Sequence, residues 1–484
     1  MVNLDSKSIK IGIALFGKGG TNHLHRPEVV EAFHRQNAEV IFVVSHHYES
    51  LLDRIPGCAY VTARIAAERG MRERLRKLFR YMRRLYPAAD PGVRHFNLPM
   101  GRACGLKNRL LHEMLSLFAR WRTAMQLAVA VESMLYRSET MEGLDPAMFD
   151  QFLVLGIGIY GSSLEGTLTW WARRNRIPVV HIVGNYDNLS SKGFRGVPVD
   201  RILVWGESMR RDAVELQAIK PERVREIGSI RYNGIAKVVR SDCESVLREW
   251  GLDPKRRTIL FAGSLSEFHY FEMLAILKEL RKESDDMQVI MRVYPNKSLM
   301  NSVYMEPLLE YAAGISGVFT SLADPCYDKG LRERDVLQIE ERELWNALRC
   351  ADVVVNIFST IALEACIFDK PAVHMWYFGW PGRLAASPPV WKAYPKLIHH
   401  RRMAAYGAIP VATNRDELIK EIRDALANPG RFRAERARAV ANECGPLDGL
   451  ACDRLVKSCM EWIVRDSATI PPGVHDYERA EVQR

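Results

Sequence analysis

Ten short runs rich in Val and Ile, each followed by a stretch of helical character, constrain this chain more than any other feature. A strand buried on both faces reads as a continuous apolar run, and parallel strands joined by helices are buried in that way. The first half contains KIGIALFG (10–17), EVIFVVS (39–45), FLVLGIG (152–158), PVVHIV (178–183) and RILVWG (201–206). The pattern restarts with TILFAGS (258–264), QVIMRVYP (288–295), GVFTSL (317–322), DVVVNI (352–357) and PAVHMW (371–376). Between them, 232–257 is a polar helical stretch ending in GLDPKRR, which reads as a linker. The expectation is α/β: two doubly wound domains, 1–235 and 236–466, facing a central cleft at the carboxyl ends of their strands. Residues 467–484, with PPG and no periodicity, read as a flexible tail.

At 484 residues the chain is too long for one ordinary domain. Its net charge of +10 is concentrated: between Arg64 and Thr123 stand fifteen Lys or Arg against four Asp or Glu. The block 64–136 reads as basic helices inserted into the first domain. Within it Leu75, Leu78, Phe79, Met82 and Leu85 share one helical face, and Arg72, Arg76, Arg80 and Arg83 lie mostly on another. Such a pattern suits a solvated basic face, an anionic membrane surface met by 64–123, or a polyanionic acceptor. Nucleic acid is not expected, because no module for it is recognisable. The start, MVNLDSKSIKIGIALFG, shows no secretory signal, and no apolar run reaches the roughly 18–20 residues of a membrane span. The expected location is cytoplasmic, with peripheral attachment to the inner face of a membrane as the basic block's alternative. Nine scattered cysteines without a C-x-x-C pair read as reduced thiols.

The stretch ALRCADVVVNIFSTIALEACIFDKPAVHMW (347–376) carries the clearest chemistry. A buried strand ends at Asn356 and turns through Phe358 into a helix starting near Ile361. Ser359 or Thr360 can cap that helix, whose first amides then form an anion site. Glu364, one turn on, would reach a ribose hydroxyl if a nucleotide's phosphates sat on the cap; the plain alternative is a capped helix with an acidic first turn. MRVYPNK (291–297) ends another strand, where Arg292 or Lys297 would supply charge and Tyr294 a hydroxyl; His269 after Gly263 and Ser264 is a further candidate. GKGGTNHLHRP (17–27) follows the first strand, its Gly19 and Gly20 allowing close approach and its His23 and His25 standing before a helix near Pro27. Asp187 and Glu165 in 158–193, and His23 or His25 in the earlier loop, are the candidate catalytic bases, while His181 and the Trp170–Trp171 pair read as core. No D-x-D dipeptide lies in a convincing loop, so neither metal nor cofactor is expected beyond the substrate itself.

ADVVVNIFSTIALEACIFDKPAV resembles the donor-site segment of glycosyltransferase-B enzymes, most of all the branch around CDP-glycerol glycerophosphotransferases and capsule or surface-polysaccharide transferases. VWGESMRRDAVELQAIKPERVREIGSIRYNG (204–234), LFAGSLSEFH (260–269), RDELIKEIRDALANPGRF (415–432) and GPLDGLACDR (445–454) agree with it. The resemblance implies two Rossmann-like domains, acceptor-side first and nucleotide-donor second. Donor phosphate would sit at Ser359 and Thr360, ribose at Glu364, and Gly263, Ser264, His269, Arg292 and Tyr294 would line the donor site. Gly19, Gly20 and His25 would form the acceptor loop. Relatives often carry His where this chain has Tyr294. The implied function is a metal-independent glycosyltransferase moving a sugar from a nucleotide-activated donor to a polysaccharide or lipid-linked glycan. A polyol-phosphate transferase, a UDP-sugar epimerase of the same fold and a non-catalytic peripheral protein are the alternatives.

Overall fold

The computed structural model describes residues 8–16, 23–46, 49, 52–65, 70–86, 105–136, 141–157, 163–235, 242–262, 267–283, 285–293, 303–322, 333–377 and 394–469. Of the sites named above, Gly19, Gly20, Gly263, Ser264, Tyr294 and Lys297 lie outside the described residues, as does the expected tail beyond 469.

Among the described residues fourteen strands form two sheets. The first contains β1 (Ile9–Leu15), β2 (Ala38–Ser45), β3 (Ala59–Ile65), β4 (Met141–Glu142), β5 (Gln151–Leu155), β6 (Val179–Ile182), β7 (Arg201–Val204) and β8 (Val224–Glu226). Their order is β4-β3-β2-β1-β5-β6-β7-β8, parallel except for the edge pair β3–β4. The second contains β9 (Arg257–Ala262), β10 (Met287–Val293), β11 (Val318–Leu322), β12 (Val353–Asn356), β13 (Ala372–Met375) and β14 (Val411–Ala412), in the order β11-β10-β9-β12-β13-β14. All ten Val- and Ile-rich runs are strands. Outside those runs stand β3, where AYVTARI beside an edge buries little and lacks an apolar run, the three-residue β8 and the two-residue pairings β4 and β14.

The helices of the first part are α1 (Pro27–His34), α2 (Met71–Arg84), α3 (Gly105–Phe118), α4 (Arg122–Leu135), α5 (Ser163–Arg174), α6 (Asn188–Ser191) and α7 (Glu207–Glu215). The second part has α8 (Cys243–Glu249), α9 (Glu267–Leu280), α10 (Met305–Ala313), α11 (Glu333–Cys350), α12 (Ile361–Ile367), α13 (Ile398–Ala405), α14 (Arg415–Ala427), α15 (Arg433–Cys444) and α16 (Ala451–Thr469). Pro at the first position of α1 fits its role as a helix starter, since the missing N–H has no partner to lose there. The last helix returns to the first sheet: Leu455, Val456, Cys459 and Trp462 bury against Ile11, Phe42 and Leu203. Three glycines let this return pass. A Cβ on Gly206 would meet Gly445 N at 2.8 Å, one on Gly228 would meet Pro446 O at 2.8 Å, and one on Gly445 would meet Trp205 O at 2.3 Å.

In each sheet one pair of neighbours marks a reversal of strand order, β1 beside β5 and β9 beside β12. Crossovers leave such a pair toward opposite faces, so a crevice opens at its carboxyl end, which is where open α/β sheets take ligands.

The basic insertion is arranged differently from its amphipathic reading. Arg76 and Arg83, assigned to the charged face of α2, are 5% and 3% exposed. Arg83 makes a two-pronged ion pair with buried Glu132 of α4, at 2.7 and 3.1 Å, and donates to the Phe194 carbonyl at 3.1 Å. Arg76 lies over the Tyr136 ring, 4.8 Å from its centre. The physical reason is that α4 presents a carboxylate and an aromatic face, which together offset the cost of burying two guanidinium groups. Leu85, Tyr86, Leu115, Met125, Val129 and Phe194 complete this small core.

Candidate functional site

Both reversal points feed one charged group. Arg26 precedes α1, the helix that follows β1. Glu364 stands in the first turns of α12, the helix that follows β12, and is 1% exposed. Glu341 belongs to α11, and Arg231 and Tyr232 follow β8. Arg26 places one guanidinium nitrogen 3.0 and 3.1 Å from the two oxygens of Glu341. Arg231 spans both acids, with Nε 3.3 Å from Glu341 and Nη2 3.0 Å from Glu364. The Tyr232 hydroxyl donates to Glu364 Oε1 at 3.0 Å. Two cations and two carboxylates thus join the parts of the chain that carry the two sheets. Glu364 and Glu341 hold the Arg231 guanidinium well above its usual range against the opposing effect of burial.

His23 lies against this group. Its ring packs over Gly184, at the end of β6, so closely that a Cβ there would stand 3.4 Å from Nε2. Burial, and then the charges of Arg26 and Arg231, lower its pKa to about 3. The imidazole is therefore neutral near pH 7, able to accept a hydrogen bond but a weak base while both arginines face it.

The turn between β12 and α12 is held by ring stacking. Phe358, at φ 37, lies flat on His374 with centroids 4.2 Å apart and edge-on to Trp376 and His400. Phe358 N donates to His374 Nδ1 at 3.3 Å, a role open to that nitrogen because burial keeps the ring neutral, its pKa lowered to about 3. Thr360 occupies the position before α12, but its side chain makes no capping bond; the helix starts from an αR residue, which turns the hydroxyl away from the first amides. The expected cap at Ser359 or Thr360 is corrected accordingly. Ser359 Oγ is buried and has no hydrogen-bond partner among the described residues.

The remaining candidates fall into three groups. Asp187 lies on the seam between the two sheets. Its carboxylate binds Lys192 at 2.7 Å and accepts from Ser191 Oγ at 3.1 Å, so it shapes the turn into α6. Across the seam Tyr186 meets His399 edge-on at 5.4 Å, and His400 carries the contact on to Phe358. Asp187 is thereby within two rings of the Ser359 turn. Glu165 stands half-buried in the first turn of α5, after β5. His25, His269 and Arg292 each have partners among the described residues. His25 is 2% exposed, with Nε2 2.8 Å from Tyr60 Oη and its ring edge-on to Phe42. His269 Nε2 lies 3.3 Å from the Tyr377 carbonyl. Arg292 is committed to Ser321 Oγ at 2.8 Å and Glu343 at 3.6 Å. His181, buried as expected, binds the Gly156 carbonyl at 2.8 Å.

Sequence reasoning missed Arg26, Arg231, Tyr232 and Glu341. The signal was weak: Arg26 follows the His23–His25 run and Arg231–Tyr232 sits inside GSIRYNG, but partners 110 and 132 residues away give no local pattern.

No family model matches the sequence, and no curated protein matches it. Solved structures do. A Listeria monocytogenes protein assigned as a UDP-N-acetylglucosamine 2-epimerase aligns at TM-score 0.52 and 13% identity, over 96% of this chain and 99% of its own. MnaA of S. aureus, solved with UDP, aligns at TM-score 0.50 and 12% identity over 96% and 99%. The wall teichoic acid polymerase TagF reaches TM-score 0.47 and 10% identity over 96% and 91%, too distant to bear on the reading. At these identities the likeness is one of fold: the chain is an α/β protein of GT-B type, with two Rossmann-like sheets of eight and six strands.

Proposed function

We propose that the chain is a nucleotide-sugar-dependent glycosyltransferase whose donor lies where β12 opens into α12. One observation carries this reading: Glu364 is a buried carboxylate at the reversal point of the second sheet, aimed across the seam at Arg231 and Tyr232. Its Oε1 takes both bonds, and Oε2 would receive the ribose hydroxyls. A diphosphate entering beside Ser359 Oγ would draw on Arg26 and Arg231. Its charge would offset the two arginines that, after burial, depress His23, and so raise that imidazole from its low value. His23, Asp187 and Glu165 stay the candidates for deprotonating an acceptor hydroxyl, with the leaving nucleotide stabilised by fixed dipoles and arginine. The acceptor is a polysaccharide or lipid-linked glycan in this reading, and the work is done in the cytoplasm.

A second reading is a UDP-sugar epimerase, favoured by alignment to structures named as UDP-N-acetylglucosamine 2-epimerases over 96% of the chain. It needs no acceptor. The two readings separate by incubating the protein with UDP-sugars alone: an epimer formed without acceptor removes the transferase reading.

The donor site itself is tested by thermal denaturation with UDP, GDP, CDP, CMP and dTDP. A ligand at a hundredfold excess over Kd should stabilise the protein by about 2.7 kcal/mol. Ser359→Ala should reduce that shift without lowering the Tm of the unliganded protein. No shift with any of the five nucleotides at millimolar concentration would refute the reading.

A further inference from the structure

The insertion has a feature that a donor site does not call for. Helix α3 is apolar on two opposite sides. His112, Leu115, Ser116 and Ala119 are buried. Leu110, Leu111, Met114, Leu117, Phe118 and Trp121 stand between 38% and 62% exposed. At about 100° per residue the five up to Phe118 fall within an arc of roughly 120°, facing away from the buried side, and Trp121 follows in the turn to α4. Helix α4 repeats the arrangement: Leu127, Val131 and Met134, spaced i, i+4, i+7, are exposed, and Met125, Ala128 and Val129 are buried. Single exposed apolar side chains are ordinary, but eleven of the sixteen large exposed hydrophobics among the described residues fall between Met71 and Met134.

Charge identifies what covers this face. Arg120, between α3 and α4, is exposed, as are Arg72 and Arg74 of α2, the helix packed on α4. Of the acids in these helices, Glu132 is consumed by Arg83 and Glu73 by Lys77 at 2.6 Å, which leaves Glu113 as the acid on the exposed side. A second copy of the chain docking here by two-fold symmetry would bring the same basic rim onto itself. An anionic lipid surface matches both components, taking apolar side chains into the headgroup boundary and arginines onto lipid phosphates. Phe118 and Trp121, edge-on at 6.5 Å where α3 turns into α4, supply the aromatic pair suited to that boundary.

We propose that the solvent face of the α3–α4 hairpin, led by Leu117, Phe118 and Trp121, seats the protein on an anionic bilayer. This moves the docking surface off the apolar face of α2 that periodicity suggests, since Leu85 of that face is in the core. The proposal stands whether or not a nucleotide binds at Glu364.

Cosedimentation of the full chain with vesicles tests it. Vesicles of phosphatidylcholine containing phosphatidylglycerol should pellet the protein, and vesicles of phosphatidylcholine alone should do so much less. The double variant Leu117→Glu/Phe118→Glu should lower the partition by about tenfold or more, and Arg120→Glu by about fivefold or more. Val303→Glu, an exposed apolar position at 81% on the second sheet's side, is the control and should partition like the parent. All variants change exposed side chains, so an unaltered Tm certifies the fold. Equal pelleting by parent and double variant overturns the proposal. So does an absence of binding to the anionic vesicles, or a dimer that the double variant dissociates while the parent ignores both vesicle types.

Discussion

Five histidines are held neutral by their surroundings, and this sets how the protein responds to acid. Burial lowers His181 to about 4 and His374 to about 3, and pushes His399 and His400 well below the ordinary value; His23 adds its two neighbouring arginines. In the unfolded chain each titrates near 6.5. Between about pH 6.5 and 4 the unfolded state therefore binds protons that the folded state refuses, and stability falls as pH falls. Each of the well-buried His181 and His374 should contribute a slope of about 1.4 kcal/mol per pH unit in that window. Urea unfolding of His181→Gln between pH 7 and 5 should show the slope reduced by about one proton; an unchanged slope would show that His181 is not the titrating group.

Elements cross at the glycine trio, where the segment between α15 and α16 passes over the ends of β7 and β8. Gly445 has φ +68 and no room for a side chain, with the Trp205 carbonyl 2.3 Å from where a Cβ would stand. Gly407, after α13, has the similar φ of +71 but nothing within 4 Å. Gly407→Ala should cost about 1 kcal/mol, the backbone term alone. Gly445→Ala should cost more, by about 1–3 kcal/mol, because the crossing segment has to move. Denaturation midpoints of the two variants measure the difference, and equal values would place the close approach elsewhere. The same crossing brings together W-G (205–206), G-S (228–229) and G-P (445–446), which lie in two of the segments that carry the resemblance although they are far apart in the chain. They are one packing contact.

On the scale of the molecule, the two sheets are joined by buried charge. Arg402 of α13 takes Asp212 of α7 at 2.9 and 3.1 Å and Glu443 of α15 at 2.6 and 2.8 Å, all three side chains being 10% exposed or less. Ser208 and Tyr406 add a hydrogen bond each to Glu443, both at 3.0 Å. Removing the cation leaves two carboxylates without compensation. Arg402→Met should lower stability by about 3–5 kcal/mol at pH 8. Burial already raises the Asp212 pKa, so that acid, once orphaned, should take up a proton readily and the deficit should shrink toward pH 5. Chemical denaturation of parent and variant at both pH values checks this; a deficit that does not narrow would mean the carboxylates find other partners.

By itself the sequence determined the two parallel sheets and the strand-to-helix turn at Ser359, Thr360 and Glu364. Both are written in local pattern: continuous Val and Ile runs mark strands buried on two faces, and an Asn356-to-Ile361 break marks a strand end followed by a helix. The tertiary structure decided which charges meet. Arg231 and Glu364 are 133 positions apart, and Arg83 and Glu132 belong to different helices of the insertion; only folding brings each pair within 3.0 Å. Periodicity could sort the side chains of α2 into two faces, but the face that is buried depends on what the neighbouring helix offers. Here α4 offered a carboxylate, and two arginines went inside while leucines of α3 and the tryptophan after it stayed out. Local spacing specifies an element, whereas the energy of a buried charge depends on a partner that local spacing does not contain.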